Sequence, residues 1–346
     1  MKLKGYAPIK QDFWQGRVDD ENDRDSYRMH QIIQVFDLTC IDKLEIEESK
    51  LRICFLGFGC DAGIVRNLGR DGAQQGPEYI RKEFANLPVT FGDDILLYDA
   101  GDIYCNDDSM EDAQAHLSIA IDILLKRGFF PIVLGGGHEL AFGHYNGIVN
   151  YLDDRSKGSS LGIVNFDAHF DLRPYKEQAS SGTMFSQIAD KCKASSRDFS
   201  YMCLGIQTSA NTISLFKKAD ALNVEYVLAK DMIESNYLQI SNHLRHFINK
   251  QSHIYITICS DVFNSAFAPG VSSLQPFGLN PEVVLVFLKE ILKTKKTVSI
   301  DIAEVSPRFD QDKRTAKLSA VIIYSIINSL YENITKRNRS DFEAFS

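Results

Sequence analysis

The stretch Leu161-Gly-Ile-Val-Asn-Phe166-Asp167-Ala-His169-Phe-Asp171 decides how this chain is read. An apolar, β-branched run ends abruptly in two acids and an imidazole, which is the pattern of a buried strand opening at its mouth. Side chains alternate sides along an extended chain, so Asp167, His169 and Asp171 share one face if the chain stays extended past Phe166, with Ala168 and Phe170 packing behind. Two other segments have the same form. Gly135-Gly-Gly-His138-Glu139 follows an apolar run at 130–134, and Cys259-Ser-Asp261 follows one at 254–258, with Cys259 and Asp261 again two residues apart. The three glycines lack Cβ atoms and let the backbone turn sharply and approach another group. A lone DxHxD motif is equally well a loop of solvated acids, and a lone GGGH a tight turn. Three such segments, each at the end of an expected strand, gather two imidazoles and three aspartates. That set suits a pair of hard or borderline divalent cations (Mn²⁺, Mg²⁺, Fe²⁺ or Zn²⁺) and metal-assisted hydrolysis.

Outward from these motifs, strand-like runs occur at 52–58, 95–98, 130–134, 161–166, 201–204, 254–258 and 297–302. Their nearly continuous Val, Ile, Leu and Phe content predicts strands buried on both faces. Helical segments are expected between them at 77–85, 110–127, 139–152, 232–249 and 281–292. The second carries Leu117, Ile121, Leu124 and Leu125 on one stripe and stops at Gly128; the last opens on a capping Asn280 followed by Pro281. Strands alternating with helices predict an α/β fold, a three-layer α/β/α sandwich around a mostly parallel sheet. In such sheets ligands bind beyond the carboxyl ends of the strands, where all three motifs lie.

The chain has 346 residues, 44% hydrophobic and 24% charged, with a net charge of −8. No Pro-, Gly- or Ser-rich linker divides it, and residues 51–335 read as one domain. Residues 1–50 read as an N-terminal arm packed on it and 336–346 as a polar tail. The acidic balance, without a basic stripe bearing interleaved aromatics, argues against nucleic acid as a partner. Seven cysteines are scattered singly without a CxxC pair and read as reduced thiols. The N-terminus, Met-Lys-Leu-Lys-Gly-Tyr, has no apolar signal core and no run is long enough to span a bilayer, so a cytoplasmic location and no membrane partner are expected. Other catalytic motifs fail: the glycine after Gly57-Phe-Gly59 comes one position too late for GxGxxG, no Gly-Lys-Ser/Thr follows a glycine-rich loop, and no G-x-S-x-G elbow is present.

These residues resemble the ureohydrolase superfamily, which includes arginase, agmatinase and formimidoylglutamase, from about Gly59 to Ala320. Gly135–Glu139, Asn165–Asp171 and Thr257-Ile-Cys-Ser-Asp261 with Ala266-Phe-Ala-Pro-Gly270 look like its three principal motifs. Gly72-Ala-Gln-Gln-Gly-Pro77, Asp99-Ala-Gly-Asp102 and Asp301-Ile-Ala-Glu304-Val-Ser-Pro307 are further matches. The formimidoylglutamase branch is favoured by GGGHE in place of GGDH, by Ser181-Gly-Thr-Met-Phe185, by Asn264-Ser265 in place of Asp-Pro, by Arg173, and by the stretch 308–317.

The resemblance implies hydrolysis of N-formimidoyl-L-glutamate to L-glutamate and formamide, late in histidine breakdown, by attack of a metal-activated hydroxide. It also implies a binuclear Mn²⁺ cofactor, a small-molecule substrate and a homo-oligomer. One metal would be held by His138, Asp167 and Asp171 and the other by Asp167, His169 and Asp261. Asp171 or Asp261 would relay the proton, Glu304 would face the cationic amidine, and Arg173, with Arg70 a second candidate, would pair with a substrate carboxylate. Where the family places a second bridging aspartate this chain has Cys259, one soft atom poorly matched to Mn²⁺. It reads as a metal ligand or, preferably, as a buried thiol beside a weakened site. Two alternatives stay open: hydrolysis of a guanidino compound, and an inactive family member kept as a binding or assembly subunit. His144 reads as packed or capping rather than catalytic.

Overall fold

Side chains along the central strands alternate between two apolar cores, which is what the unbroken Val, Ile, Leu and Phe runs encode. The computed structural model describes residues 3–106, 109–155, 158–176 and 178–343, with side chains as far as residue 335. Among them one sheet holds ten strands: β1 (Tyr6–Ala7), β2 (Gln34–Val35), β3 (Leu51–Gly59), β4 (Ile95–Tyr104), β5 (Phe129–Leu134), β6 (Leu161–Phe166), β7 (Ser200–Ile206), β8 (Glu225–Leu228), β9 (His253–Cys259) and β10 (Thr297–Ala303). The α-helices are α1 (Ala62–Arg66), α2 (Gly76–Ala85), α3 (Met110–Lys126), α4 (Leu140–Arg155), α5 (Met184–Ala194), α6 (Ile213–Ala221), α7 (Tyr237–Asn249), α8 (Pro281–Lys293) and α9 (Arg314–Glu343).

The order β4-β3-β5-β10-β9-β6-β7-β8 is parallel throughout, and the short β1 (antiparallel) and β2 (parallel) pair with β4. Ile53 and Phe55 of β3, Ile132 of β5 and Ile256 of β9 enter one core with Phe84 of α2, Leu244 of α7, Phe287 of α8 and Ile323 of α9. Their neighbours Cys54, Val133 and Tyr255 face the other, with Leu117 of α3, Ile148 of α4, Ile188 of α5 and Ala219 of α6. The fold is the expected three-layer α/β/α sandwich.

Local signals set several boundaries. Gly128, at φ +76°, stops α3, its N–H bonding the Leu125 carbonyl at 3.0 Å. Asn280 caps α8 by accepting the Glu282 N–H at 3.0 Å, with Pro281 in the first turn. Residues 232–249, expected as one helix, contain a 3₁₀ turn (Glu234–Asn236) before α7 begins at Tyr237. The edge strand β8 and helices α1, α5, α6 and α9 lie outside the expected set. β8 is only four residues long, too short for a convincing apolar run. The start of α9 is capped by Asp310, whose carboxylate accepts the N–H groups of Thr315 and Ala316 at 2.8 and 2.9 Å. This helix runs on through 336–343, the stretch that read as a polar tail, and 344–346 lie outside the described residues. Near the other terminus Trp14 is buried against Phe55 and Phe84. Among the described residues no helix is long and apolar enough to cross a membrane.

Register is what positions the site. Leu134, Ile302, Ile258 and Phe166 are level across β5, β10, β9 and β6, four neighbouring strands at the centre of the sheet. The residues that follow each therefore emerge along one rim, with strands under 5 Å apart.

Candidate metal centre

Four strand ends deliver the chemistry: 135–139 after β5, 167–171 after β6, 259–261 at the end of β9 and Glu304 after β10. The glycines after β5 are required by close approach rather than by unusual φ. A Cβ on Gly136 would lie 2.0 Å from the Cys60 carbonyl oxygen, and one on Gly135 2.6 Å from that of Ile302. This packing sets His138 beside the next strands.

Asp167 stands between two imidazoles. Its Oδ2 is 3.0 Å from His138 Nδ1 and its Oδ1 is 3.4 Å from His169 Nδ1. His138 Nδ1 is also 3.1 Å from Asp171 Oδ2, and His169 Nδ1 is 3.1 Å from Asp261 Oδ2. The five residues expected to meet do meet.

They do so by a different route from the one expected. β6 ends at Phe166 and the chain bends at Ala168–His169 instead of staying extended. Asp167 Oδ1 accepts the His169 N–H at 2.8 Å, and Asp171 adopts the left-handed conformation (φ +48°) that turns its carboxylate back to His138. Ala168 and Phe170 are fully buried behind, as expected. Likewise β9 ends at Cys259, and Asp261 sits in a 3₁₀ turn (Ser260–Val262).

The electrostatics are those of an acidic, desolvated floor. Burial pushes Asp171 up to about 6, with the Asp167 charge adding to it. Burial also raises Asp261, against the opposing pull of His169. Glu304 is raised well above its usual range by burial and by the charges of Asp261 and Glu139. Asp167 is the exception: burial raises it, but hydrogen bonds from His138 and His169 outweigh this and hold it below the usual range. Both imidazoles are raised, because the facing carboxylates overcome their burial.

A cavity of about 260 Å³ opens over this floor and is lined by His138, His169, Asp171, Cys259, Asp261 and Glu304, with the exposed Arg173 among its walls. Glu304, left-handed at φ +66°, accepts the His138 N–H at 3.0 Å. Arg70 is not part of the lining. Its guanidinium bonds the carbonyls of Val271 and Ser272 and lies 4.1 Å over the Phe309 ring, so it braces a loop instead of facing substrate. Phe185 sets its ring edge-on to His138, with centroids 5.8 Å apart. Sequence reasoning missed Asn67, Ser272 and Ser273, which also line the cavity; Ser273 Oγ lies 3.4 Å from His169 Nε2. Small polar residues in loops carry no periodic signal that could have marked them.

Whether these residues fit divalent ions can be tested on the structure itself. Among the described residues two sets of ligand atoms lie within 4.8 Å of one another: His138, Asp167 and Cys259, and Asp167, His169 and Asp261. Asp167 belongs to both. Asp261 Oδ1 is buried without a hydrogen-bond partner, an atom that a cation would satisfy. The donors are nitrogen and carboxylate oxygen apart from one sulfur, so the set fits two divalent ions, with the thiol reaching into the first set.

The fold and these ligand sets define a hydrolase-type α/β scaffold with its chemistry at the strand ends. The chain belongs to the arginase family, whose model matches residues 51–328. It is 50% identical over 326 residues to a formimidoylglutamase of Clostridium tetani, covering 94% of this chain and 96% of that one. The formimidoylglutamase of Bacillus subtilis superposes with a TM-score of 0.75 at 22% identity, over 92% of this chain and 96% of that one. A Trypanosoma cruzi formiminoglutamase solved with Mn²⁺ superposes with a TM-score of 0.71 at 23% identity, over 85% of this chain and 98% of that one.

Proposed function

We propose that this protein hydrolyses N-formimidoyl-L-glutamate to L-glutamate and formamide, using two Mn²⁺ ions held by His138, Asp167 and Asp171 and by Asp167, His169 and Asp261. The observation that carries the substrate is the identity of half the residues, across nearly the whole of both chains, with a formimidoylglutamase. The cluster of Asp167, His169 and Asp261 supports the second site; the first rests on His138 Nδ1 lying 3.0 Å from Asp167 and 3.1 Å from Asp171, with the Cys259 thiol rather than Asp171 completing the tightest cluster there. Divalent ions bound there supply a nucleophile from water at neutral pH and stabilise developing negative charge.

The protein groups do the rest. Glu304, buried on the cavity wall with a raised carboxyl, is stabilised as an anion when the cationic amidine arrives beside it. Arg173 at the mouth pairs with a substrate carboxylate, holding the formimidoyl carbon over the floor. Water adds to that carbon, the bond to the glutamate nitrogen breaks, and the departing amine takes a proton. Asp171 or Asp261, both on the cavity floor beside that carbon, would relay the proton.

The test is metal content and formamide release from protein purified with added Mn²⁺. About two ions per chain with formamide produced from N-formimidoyl-L-glutamate is expected. Absence of metal and turnover, or turnover of agmatine instead, would overturn the reading. Cys259→Asp should raise Mn²⁺ occupancy, since a carboxylate offers two hard oxygens where the thiol offers one soft atom.

A further inference from the structure

Behind His138, away from the cavity, runs a chain of buried polar groups that the proposed reaction does not use. His138 Nε2 lies 2.9 Å from Thr257 Oγ1, and the Thr257 hydroxyl donates to Asp301 Oδ1 at 2.5 Å. Asp301 Oδ2 accepts the Tyr255 hydroxyl and is 2.6 Å from His144 Nδ1. His144 Nε2 is fastened to Ser299 Oγ at 2.6 Å. Thr257, Asp301, His144, Tyr255 and Ser299 are all fully buried.

Hydrogen counting orients this chain. A carboxylate only accepts, and Thr257 has a single hydroxyl proton, which Asp301 takes. Thr257 Oγ1 must therefore accept from His138, which puts a proton on Nε2. Nδ1 faces Asp167 and Asp171, whose oxygens lie at 3.0 and 3.1 Å; it shares a proton with them in the metal-free protein and, with Nε2 already protonated, is the nitrogen that gives its lone pair to a metal ion displacing that proton. We propose that Asp301, braced by His144 and Tyr255, is a positioning residue that acts through Thr257 to hold the His138 ring in its metal-binding tautomer. His144 lies six residues beyond His138, on the helix that follows the glycine turn, so one segment supplies both the ligand and its brace. Partners of this kind orient the ring and raise its basicity as a ligand.

The proposal rests on reading His138 as a ligand, and its test needs no substrate. Long-range ¹H–¹⁵N NMR of ring-labelled histidines in protein loaded with diamagnetic Zn²⁺ should show His138 protonated at Nε2. In Asp301→Asn the amide oxygen stays with the two donors at Oδ2, so the NH₂ faces Thr257 and turns its hydroxyl proton toward His138. That variant, and Thr257→Val, should bind Mn²⁺ about 10–100-fold more weakly, with an altered His138 spectrum and an unchanged His169 spectrum. Thr257→Ser should restore both the affinity and the spectrum. An Nδ1–H pattern in the unmodified loaded protein overturns the proposal even where a variant fails to fold. So does affinity unchanged in Asp301→Asn and Thr257→Val, or weakened affinity with an unaltered His138 spectrum. Failure here leaves amidine hydrolysis standing, whereas loss of formamide release alongside a normal His138 spectrum would overturn only the latter.

Discussion

Two of the buried charge clusters on this sheet differ in kind: among the described residues the one beside β4 is complete and the one at the central rim is not. At the β4 edge Arg81 Nε and Nη2 grip Asp99 at 2.8 and 3.0 Å, while Nη1 holds Asp102 at 2.6 Å. The Gly101 carbonyl, the Trp14 indole N–H at 3.1 Å and the Gly101 N–H complete the set. At the central rim, by contrast, Asp167, Asp171, Asp261 and Glu304 face two imidazoles, and Asp261 Oδ1 has no partner. A buried charge that is paired on every side serves the fold. One left with spare acceptors is a place for something that arrives later.

The largest effect expected at the incomplete cluster is on turnover. Asp167→Asn removes the charge and replaces one of the two oxygens common to both ligand sets by an NH₂, and loss of several kcal/mol of charge stabilisation should cut formamide release on the order of a thousandfold. Urea unfolding of the metal-free variant should show a modest loss of stability, because the pairing of Asp167 with His138 and His169 is weakened while an oxygen remains to accept the His169 N–H. A collapse of the fold would mean this cluster is structural after all.

Arg81→Met probes the complete cluster in the opposite sense. It strands two carboxylates, one of them in the fully buried core, and should cost about 3–5 kcal/mol of stability by urea unfolding. If instead it left stability intact and abolished turnover, the contrast between the two regions would be broken.

The pH response should differ with metal. Asp171 and Glu139 are pushed up by burial to about 6 and about 7. Folded values above the ordinary carboxylate range mean that the native state holds protons the unfolded chain has released. Their contribution is fully present below roughly pH 4 and is lost as pH rises through 6 to 7. The opposite shift of Asp167 acts below this window. Chelator-treated protein should therefore lose stability between about pH 5 and about pH 8, and added Mn²⁺ should reverse the trend because protons compete with the ion. Urea midpoints across that range, with and without Mn²⁺, decide it.

The smallest effect is expected at the rim of the cavity. Arg173→Met should raise KM about tenfold and leave kcat within about a factor of two, because it removes a contact shared by substrate and transition state. An equal fall in kcat would place Arg173 nearer the reacting carbon.

Much of this fold is legible in the amino-acid sequence. Strands 161–166, 254–258 and 297–302 were readable because burial on both faces demands continuous apolar runs, and the acids that end them announced the rim. The edge strand at 225–228 was not, because four residues at the edge of a sheet carry too weak a pattern. The Arg70 reading shows the matching limit at the site. A loop arginine is identical in sequence whether it faces substrate or, as here, bonds the Val271 and Ser272 carbonyls.

By itself the amino-acid sequence determined the parallel α/β sandwich, the strand ends that carry chemistry and the identity of the clustered His and Asp residues, since periodicity and motif spacing are local properties. Tertiary structure alone decided that Leu134, Ile302, Ile258 and Phe166 lie level, that a bend and a left-handed Asp171 close the ligand set, and that Asp301 reaches His138 through Thr257. Those outcomes depend on register and on contacts between residues far apart in the chain, such as Leu134 with Ile302, and no local pattern encodes them.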